Sequence, residues 1–182
     1  MSTISYGMER IKNDVDLVFF ARCLLLRSAT RGGHMPKEYW AEPRARTKAK
    51  LDLLRNYLGA WFGILARATD EEGEHRYHEL VYLDGFCGRG NYANGQDGSP
   101  LIAVKFANSV AARRQDLKIK IILVDQNNNS ISHLSTLESI KHPHPNVSIL
   151  SVQGSFEDTV LTIFENIDIS RDSPTFSFGH LE

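Results

Sequence analysis

The chain has 182 residues, a net charge of −1 and a pI near 6.7, so no global electrostatic case exists for nucleic acid, and only a local basic patch would supply one. Hydrophobic residues make up 42% and no long low-complexity tract occurs, which excludes a disordered chain and points to one domain with a sizeable core. The two cysteines, Cys23 and Cys87, lie far apart without metal-ligand spacing, so the chain reads as cytoplasmic, reduced and free of disulfides.

Residues 1–34 read as a non-native or poorly ordered leader, with Met35 the natural start and residues 35–182 the domain proper. The most apolar stretch of that leader, DLVFFARCLLL (Asp16 to Leu26), is interrupted by Arg22 and is too short to span a bilayer. Glu9, Asp14 and Asp16 also deny it the basic start of a signal peptide, so no membrane association is expected.

From Arg46 the pattern becomes regular. Leu51, Leu54, Leu58, Trp61 and Leu65 recur at helical spacing, with Tyr57, Phe62 and Ile64 widening the stripe, which predicts a long amphipathic helix packed on a sheet. RATDEEGEHRYH (Arg67 to His78) breaks it with a charged loop, and ELVYLD then reads as a buried strand ending at Asp84. Ser99 as N-cap and Pro100 at the first helical position start a helix through PLIAVKFANSVAARR. LKIKIILVD is a second strand ending at Asp125, and NNNSISHLSTLESI a second helix capped near Asn129 or Ser130. NVSILSV, FEDTVLTIFENI and PTFSF supply a third strand, a third helix and a fourth strand. This alternation predicts an α/β, Rossmann-like domain: a mainly parallel sheet, right-handed crossovers, helices on both faces and the fourth strand beside the first.

In such sheets ligands bind beyond the carboxyl ends of the strands, so the chemistry concentrates in YLDGFCGRGNYANGQDGSP, residues 82–100. Gly88 and Gly90 admit a close backbone approach and positive φ, and with Ala93 they also satisfy G-x-G-x-x-A, the dinucleotide fingerprint. Asp84 discriminates between the two readings. A carboxylate beside the turn repels a pyrophosphate but suits S-adenosylmethionine, which carries an ammonium and a sulfonium and no phosphate. Asp125 suits either cofactor, as an acceptor for both ribose hydroxyls. Its separation from Gly90, 125 − 90 = 35 residues, exceeds the roughly 20 of a compact dinucleotide unit. An NAD-type nucleotide-binding protein is therefore the weaker alternative.

After the third strand, Ser155 and Phe156 lie where an adenine could stack or hydrogen-bond, with Gly154 and Asp158 adjacent. Glu157 and Asp158 equally fit charges at a helix N-terminus, and both readings stand. Cys87 reads as a small filler at a tight turn, and KHPHPN (Lys141 to Asn146) as a connecting loop. Arg89 fits a cofactor carboxylate, a nucleic-acid phosphate or a solvated side chain.

LLRNYLGAWFGILA followed by VYLDGFCGRGNYANGQDGSPLIAV resembles the N-terminal half of the three-Cys-motif partner proteins, the TcmP family, whose glycine motif has the form DGFxGxGxYxxGxxGSPLIA. The resemblance covers roughly residues 35–178 and implies a bacterial, methyltransferase-like Rossmann fold. It also implies S-adenosylmethionine as cofactor and a three-cysteine protein as partner. It places Asp84, Gly85, Phe86, Gly88 and Gly90 in the cofactor loop and Asp125 on the ribose. Family members continue the fourth strand into an Ile-Asp-Pro-Phe-Gly type motif, where related amino-group methyltransferases hold the target nitrogen. Here the strand runs PTFSFGHLE, so a domain truncated after its fourth strand, with doubtful catalysis and unassigned catalytic residues, is expected. A noncatalytic module that binds the three-cysteine partner is the other reading of the same fold.

Overall fold

The computed structural model describes residues 40–166, 169 and 172–179. The expected leader, the start at Met35, Cys23 and the last three residues lie outside the described residues.

Four strands, β1 (Glu79–Asp84), β2 (Lys118–Asp125), β3 (Val147–Gln153) and β4 (Thr175–Phe178), form one sheet in the order β3-β2-β1-β4. Every pairing is parallel: Leu83 sits opposite Ile122 on one side and Ser177 on the other, and Ile121 opposite Ile149. This is the Rossmann-like arrangement, with the chain reversing direction across the sheet at β1, and β4 lies beside β1 as the alternation predicts. Among the described residues β3 and β4 are the sheet's edges.

Helices cover both faces, unequally. On one face lie α1 (Ala45–Leu65), α2 (Ser99–Ala111), α3 (Asn128–Leu134) and the single turn α4 (Glu138–Lys141). Alternation puts Leu80, Tyr82, Ile119, Ile121 and Leu123 on this side, where they meet Leu54, Leu58 and Phe62 of α1 and Ala103 and Ala107 of α2. Trp61 meets Phe176 edge-on at 5.7 Å, and Phe176 stacks on Tyr82 at 6.0 Å, which locks α1 to β4 and β1. On the other face, among the described residues, the helix is α5 (Phe156–Asn166), which lays Val160 and Ile163 over Val81, Leu83, Ile122 and Val124.

Three local expectations are corrected. The stripe on α1 is narrower than the apolar residues suggested: Phe62 is buried, but Tyr57 is 45% and Ile64 66% exposed, because only one side of the helix meets α2 and the sheet. The N-cap of α2 is Gly98, and Ser99 is already helical, which frees its hydroxyl for another partner. The run after β2 is two helices, α3 and α4. Asn127 caps α3 by accepting Asn129 N–H at 2.9 Å, a few residues before the expected caps.

The charged loop after α1 is tied down from beneath. Buried Arg114 donates to the Ala66 carbonyl at 2.8 Å and to that of Tyr77, bridging the end of α1 to the segment before β1. In KHPHPN, His144 Nδ1 accepts Asn146 N–H at 3.2 Å, and His144 N–H donates to Asn108 of α2 at 2.9 Å, so the segment is the connecting loop expected. Among the described residues no helix is long and apolar enough to cross a membrane.

Candidate functional site

The site lies where the sheet reverses, at the carboxyl ends of β1 and β2. Period-two alternation puts Tyr82 and Asp84 on the same face of β1. There the phenol donates to Asp84 Oδ2 at 3.3 Å, and Phe86 N–H donates to Oδ1 at 3.1 Å. The Ser99 hydroxyl, released from capping, is the third donor to this carboxylate. Asp84 has no exposed surface. It lies beneath the glycine turn and joins the end of β1 to the start of α2.

Burial drives the acid–base properties here. Desolvation raises the Asp84 pKa from 3.8 to about 6; the bonds from Ser99, Phe86 and Tyr82 pull it down, and the charge on Asp125 adds to the rise. Burial, then Asp84, pushes Tyr82 far up, so its phenol stays protonated and donates. Burial likewise pushes the Cys87 thiol far up, which fits the expected filler and not a thiolate nucleophile. Replacing Ser99 by alanine deletes the strongest of the opposing bonds. It should cost about 1.5–3 kcal/mol in urea unfolding at neutral pH, and less, about 0.5–1.5 kcal/mol, where Asp84 is protonated.

The amides of the turn are engaged by the ends of β1, β2 and β4. Gly85 N–H donates to Phe178 O at 2.8 Å, Phe86 N–H to Asp84 Oδ1 at 3.1 Å, Cys87 N–H to Val124 O at 3.0 Å and Gly88 N–H to Asp125 Oδ2 at 2.8 Å. Four consecutive amides therefore already have protein acceptors, two of them carboxylates. Asp125 is partly buried, and its Oδ1 also accepts Asn127 N–H at 2.7 Å. Each Asp125 oxygen keeps a further lone pair.

The 35 residues that separate Gly90 from Asp125 include a small hairpin (125 − 90 = 35). Asn91 bridges Asp97, Tyr92 N–H reaches Gln96 O at 2.9 Å, and Asn94-Gly95 supplies the turn, with Gly95 at φ +83°. Gly98 N–H closes the loop on Gly90 O at 2.7 Å. The hairpin also holds the segment before α1, since Ala93 and Asn94 donate to the carbonyls of Trp40 and Ala41. Trp40 is thereby laid over Gly88, where a Cβ would stand 3.1 Å from its ring.

Of the residues singled out from the sequence, Asp84, Gly85, Phe86, Gly88 and Asp125 form one network. Gly90, at φ +87°, faces Leu134 of α3 and Leu137. Phe156 covers Gly85, where a Cβ would fall 2.6 Å from its ring, and its ring centroid lies 6.3 Å from that of half-exposed Phe86. Ser155 shares a cap with Asp158: its hydroxyl donates to Asp158 Oδ2 at 2.6 Å and accepts Asp158 N–H at 3.1 Å. Tyr82, Ser99, Trp40, Asn91 and His133 were not foreseen. Alternation along β1 could have revealed Tyr82; the others are brought in by tertiary packing.

His133 of α3 accepts from Arg89 Nη2 at Nδ1, 3.1 Å away, and donates from Nε2 to Asn91 Oδ1 at 2.9 Å. That pattern requires a neutral ring, and burial followed by the Arg89 charge lowers the His133 pKa accordingly.

No protein-family model matches the chain, and no curated protein matches it. Among solved structures, it is similar to a loganic acid methyltransferase with SAH, at 14% identity and a TM-score of 0.42, over 68% of this chain and 33% of that one. The chain thus spans about a third of that enzyme's length.

Proposed function

We propose that this chain binds S-adenosylmethionine at the carboxyl edge of β1 and β2, as a methyltransferase-like domain. The observation that carries the reading is the engagement of the turn's amides. A pyrophosphate is held by free backbone N–H groups, and the amides of residues 85–88 are all engaged within the protein. Two carboxylates, Asp84 below and Asp125 beside the turn, add negative potential. A cofactor with an ammonium and a sulfonium fits the engaged amides of residues 85–88 and the two carboxylates better than a pyrophosphate does.

When bound, the cofactor supplies an electrophilic methyl group on sulfur. The remaining work belongs to the chain. Asp125 has lone pairs for ribose hydroxyls while its bonds to Gly88 and Asn127 hold it still. Asp84, with no surface of its own, acts through its field and by holding the turn against Ser99. Phe86 and Phe156 offer aromatic surface beside the turn. The likeness of the glycine motif to three-Cys-motif partner proteins supports placing the domain in that setting, with a three-cysteine protein as its partner.

Calorimetric titration of the full chain tests the reading. Saturable heat is expected with S-adenosylmethionine and none with NAD, and Asp125→Asn should weaken binding by about 10-fold or more. If a chain shown by circular dichroism to be folded gives no heat with S-adenosylmethionine, the assignment fails.

A further inference from the structure

Arg89 is the one cation in the run from Tyr82 to Pro100, and two distant parts of the chain, at Trp40 and His133, meet it. Its guanidinium lies 5.8 Å from the centre of the Trp40 ring, which the hairpin holds in place. Its Nη2 donates to His133 Nδ1 at 3.1 Å, and Asn91 fixes the far side of that imidazole at 2.9 Å. The Trp40 ring and one hydrogen bond to His133 thus position the guanidinium. No carboxylate pairs with it among the described residues. An arginine so positioned, with one bond from Nη2 to His133, has fork donors left for an anion.

We propose that Arg89 is the anchor for the α-carboxylate of the aminoacyl end of the cofactor, and so a specificity-determining residue. This rests on the S-adenosylmethionine reading. The chemistry is complementary: the turn is negative and suits the ammonium and sulfonium, which leaves the cofactor's own carboxylate without a partner unless a cation stands next to the turn. Arg89 directly follows Gly88, whose N–H is held by Asp125, so the carboxylate site adjoins the ribose site. The neutral state of His133 matters, because only an unprotonated Nδ1 accepts from Arg89 and leaves the guanidinium the single positive charge of the cluster.

The test compares S-adenosylmethionine with decarboxylated S-adenosylmethionine, which keeps the nucleoside, the sulfonium and the amine. By titration calorimetry on the full chain, loss of the carboxylate should weaken binding about 10- to 100-fold, the range of a charge-assisted pair. Arg89→Gln should abolish that difference while retaining affinity for the decarboxylated ligand, and Arg89→Lys should restore part of it. Equal affinity of the unaltered chain for both ligands overturns the role of Arg89 and leaves the cofactor reading intact; no binding of either by a folded chain removes both. If Arg89→Gln weakens binding of a single-stranded oligonucleotide but leaves the ratio of the two ligands unchanged, the arginine serves a phosphate and the proposal is wrong.

Discussion

Replacing Asp84 by asparagine should stabilise the protein relative to the unaltered chain as pH rises from about 4.5 to 7.5, by about 2 kcal/mol over that interval. The sign follows from the raised pKa. In the unfolded chain Asp84 ionises near 3.8 and in the folded one near 6, so between these values the folded state holds the proton more tightly. The stability this contributes is complete below 3.8 and is lost as pH climbs through about 6, leaving a buried charge that costs about 3 kcal/mol at neutral pH. Asparagine does not titrate, so the difference between the two proteins isolates the one group. Its carbonyl still accepts from Phe86, and its amide can donate to the hydroxyls of Tyr82 or Ser99 once these rotate. Alanine removes the charge as well, but it strands the two buried hydroxyl donors, Tyr82 and Ser99, and at about 1–3 kcal/mol for each unsatisfied group it should fall below asparagine by about 2–6 kcal/mol. Urea unfolding of the three proteins at both ends of the range supplies the comparison. A difference between the unaltered protein and the Asp84→Asn variant that stays flat with pH would show that the carboxyl titrates normally. The same substitution should weaken S-adenosylmethionine binding at pH 7.5, because the field that favours a cation is gone.

Asp84 also marks the limit of what sequence could reveal. The four strands, the helix that precedes them and the place of β4 beside β1 all follow from periodicity and alternation, which depend only on neighbours along the chain. The strand-end carboxylates and the glycine turn were legible for the same reason. Depth was not. A carboxylate at the end of a buried strand can face the ligand or lie under the turn, and only the packing of α2 against β1 puts Asp84 in the second place. The Ser-Pro step marked the start of α2 to within one residue, but with Gly98 at the cap the serine takes on another role, as donor to Asp84. Ser155 shows the converse, since a residue suited to adenine is engaged with Asp158 at the start of α5. The Arg89, His133 and Trp40 cluster joins three segments distant in sequence, and no local pattern encodes that meeting.

Gly90→Ala should destabilise the protein by about 3–4 kcal/mol, against about 1 kcal/mol for Gly95→Ala, although both glycines have nearly the same φ, +87° and +83°. The backbone term is shared: a Cβ at positive φ costs about 1–2 kcal/mol wherever it occurs. The surroundings differ. At Gly95, the tip of the hairpin, an added Cβ meets nothing within 4 Å. At Gly90 it would stand 2.6 Å from Leu134 Cδ2 and 2.8 Å from Leu137 Cδ1. Those methyl groups are the ends of rotatable side chains, which on a surface would swing aside cheaply, but Leu134 is fully buried in the core, so it has little room to turn and its displacement presses on α3. The remaining roughly 2 kcal/mol is the overpacking that this displacement entails. Displacing α3 also moves His133, so Gly90→Ala should loosen Arg89 and reduce the preference for a carboxylated ligand, whereas Gly95→Ala should leave that preference unchanged. Matched denaturation curves decide the packing term. Equal costs at the two positions would mean that α3 yields freely and that Gly90 is required for its backbone angle alone.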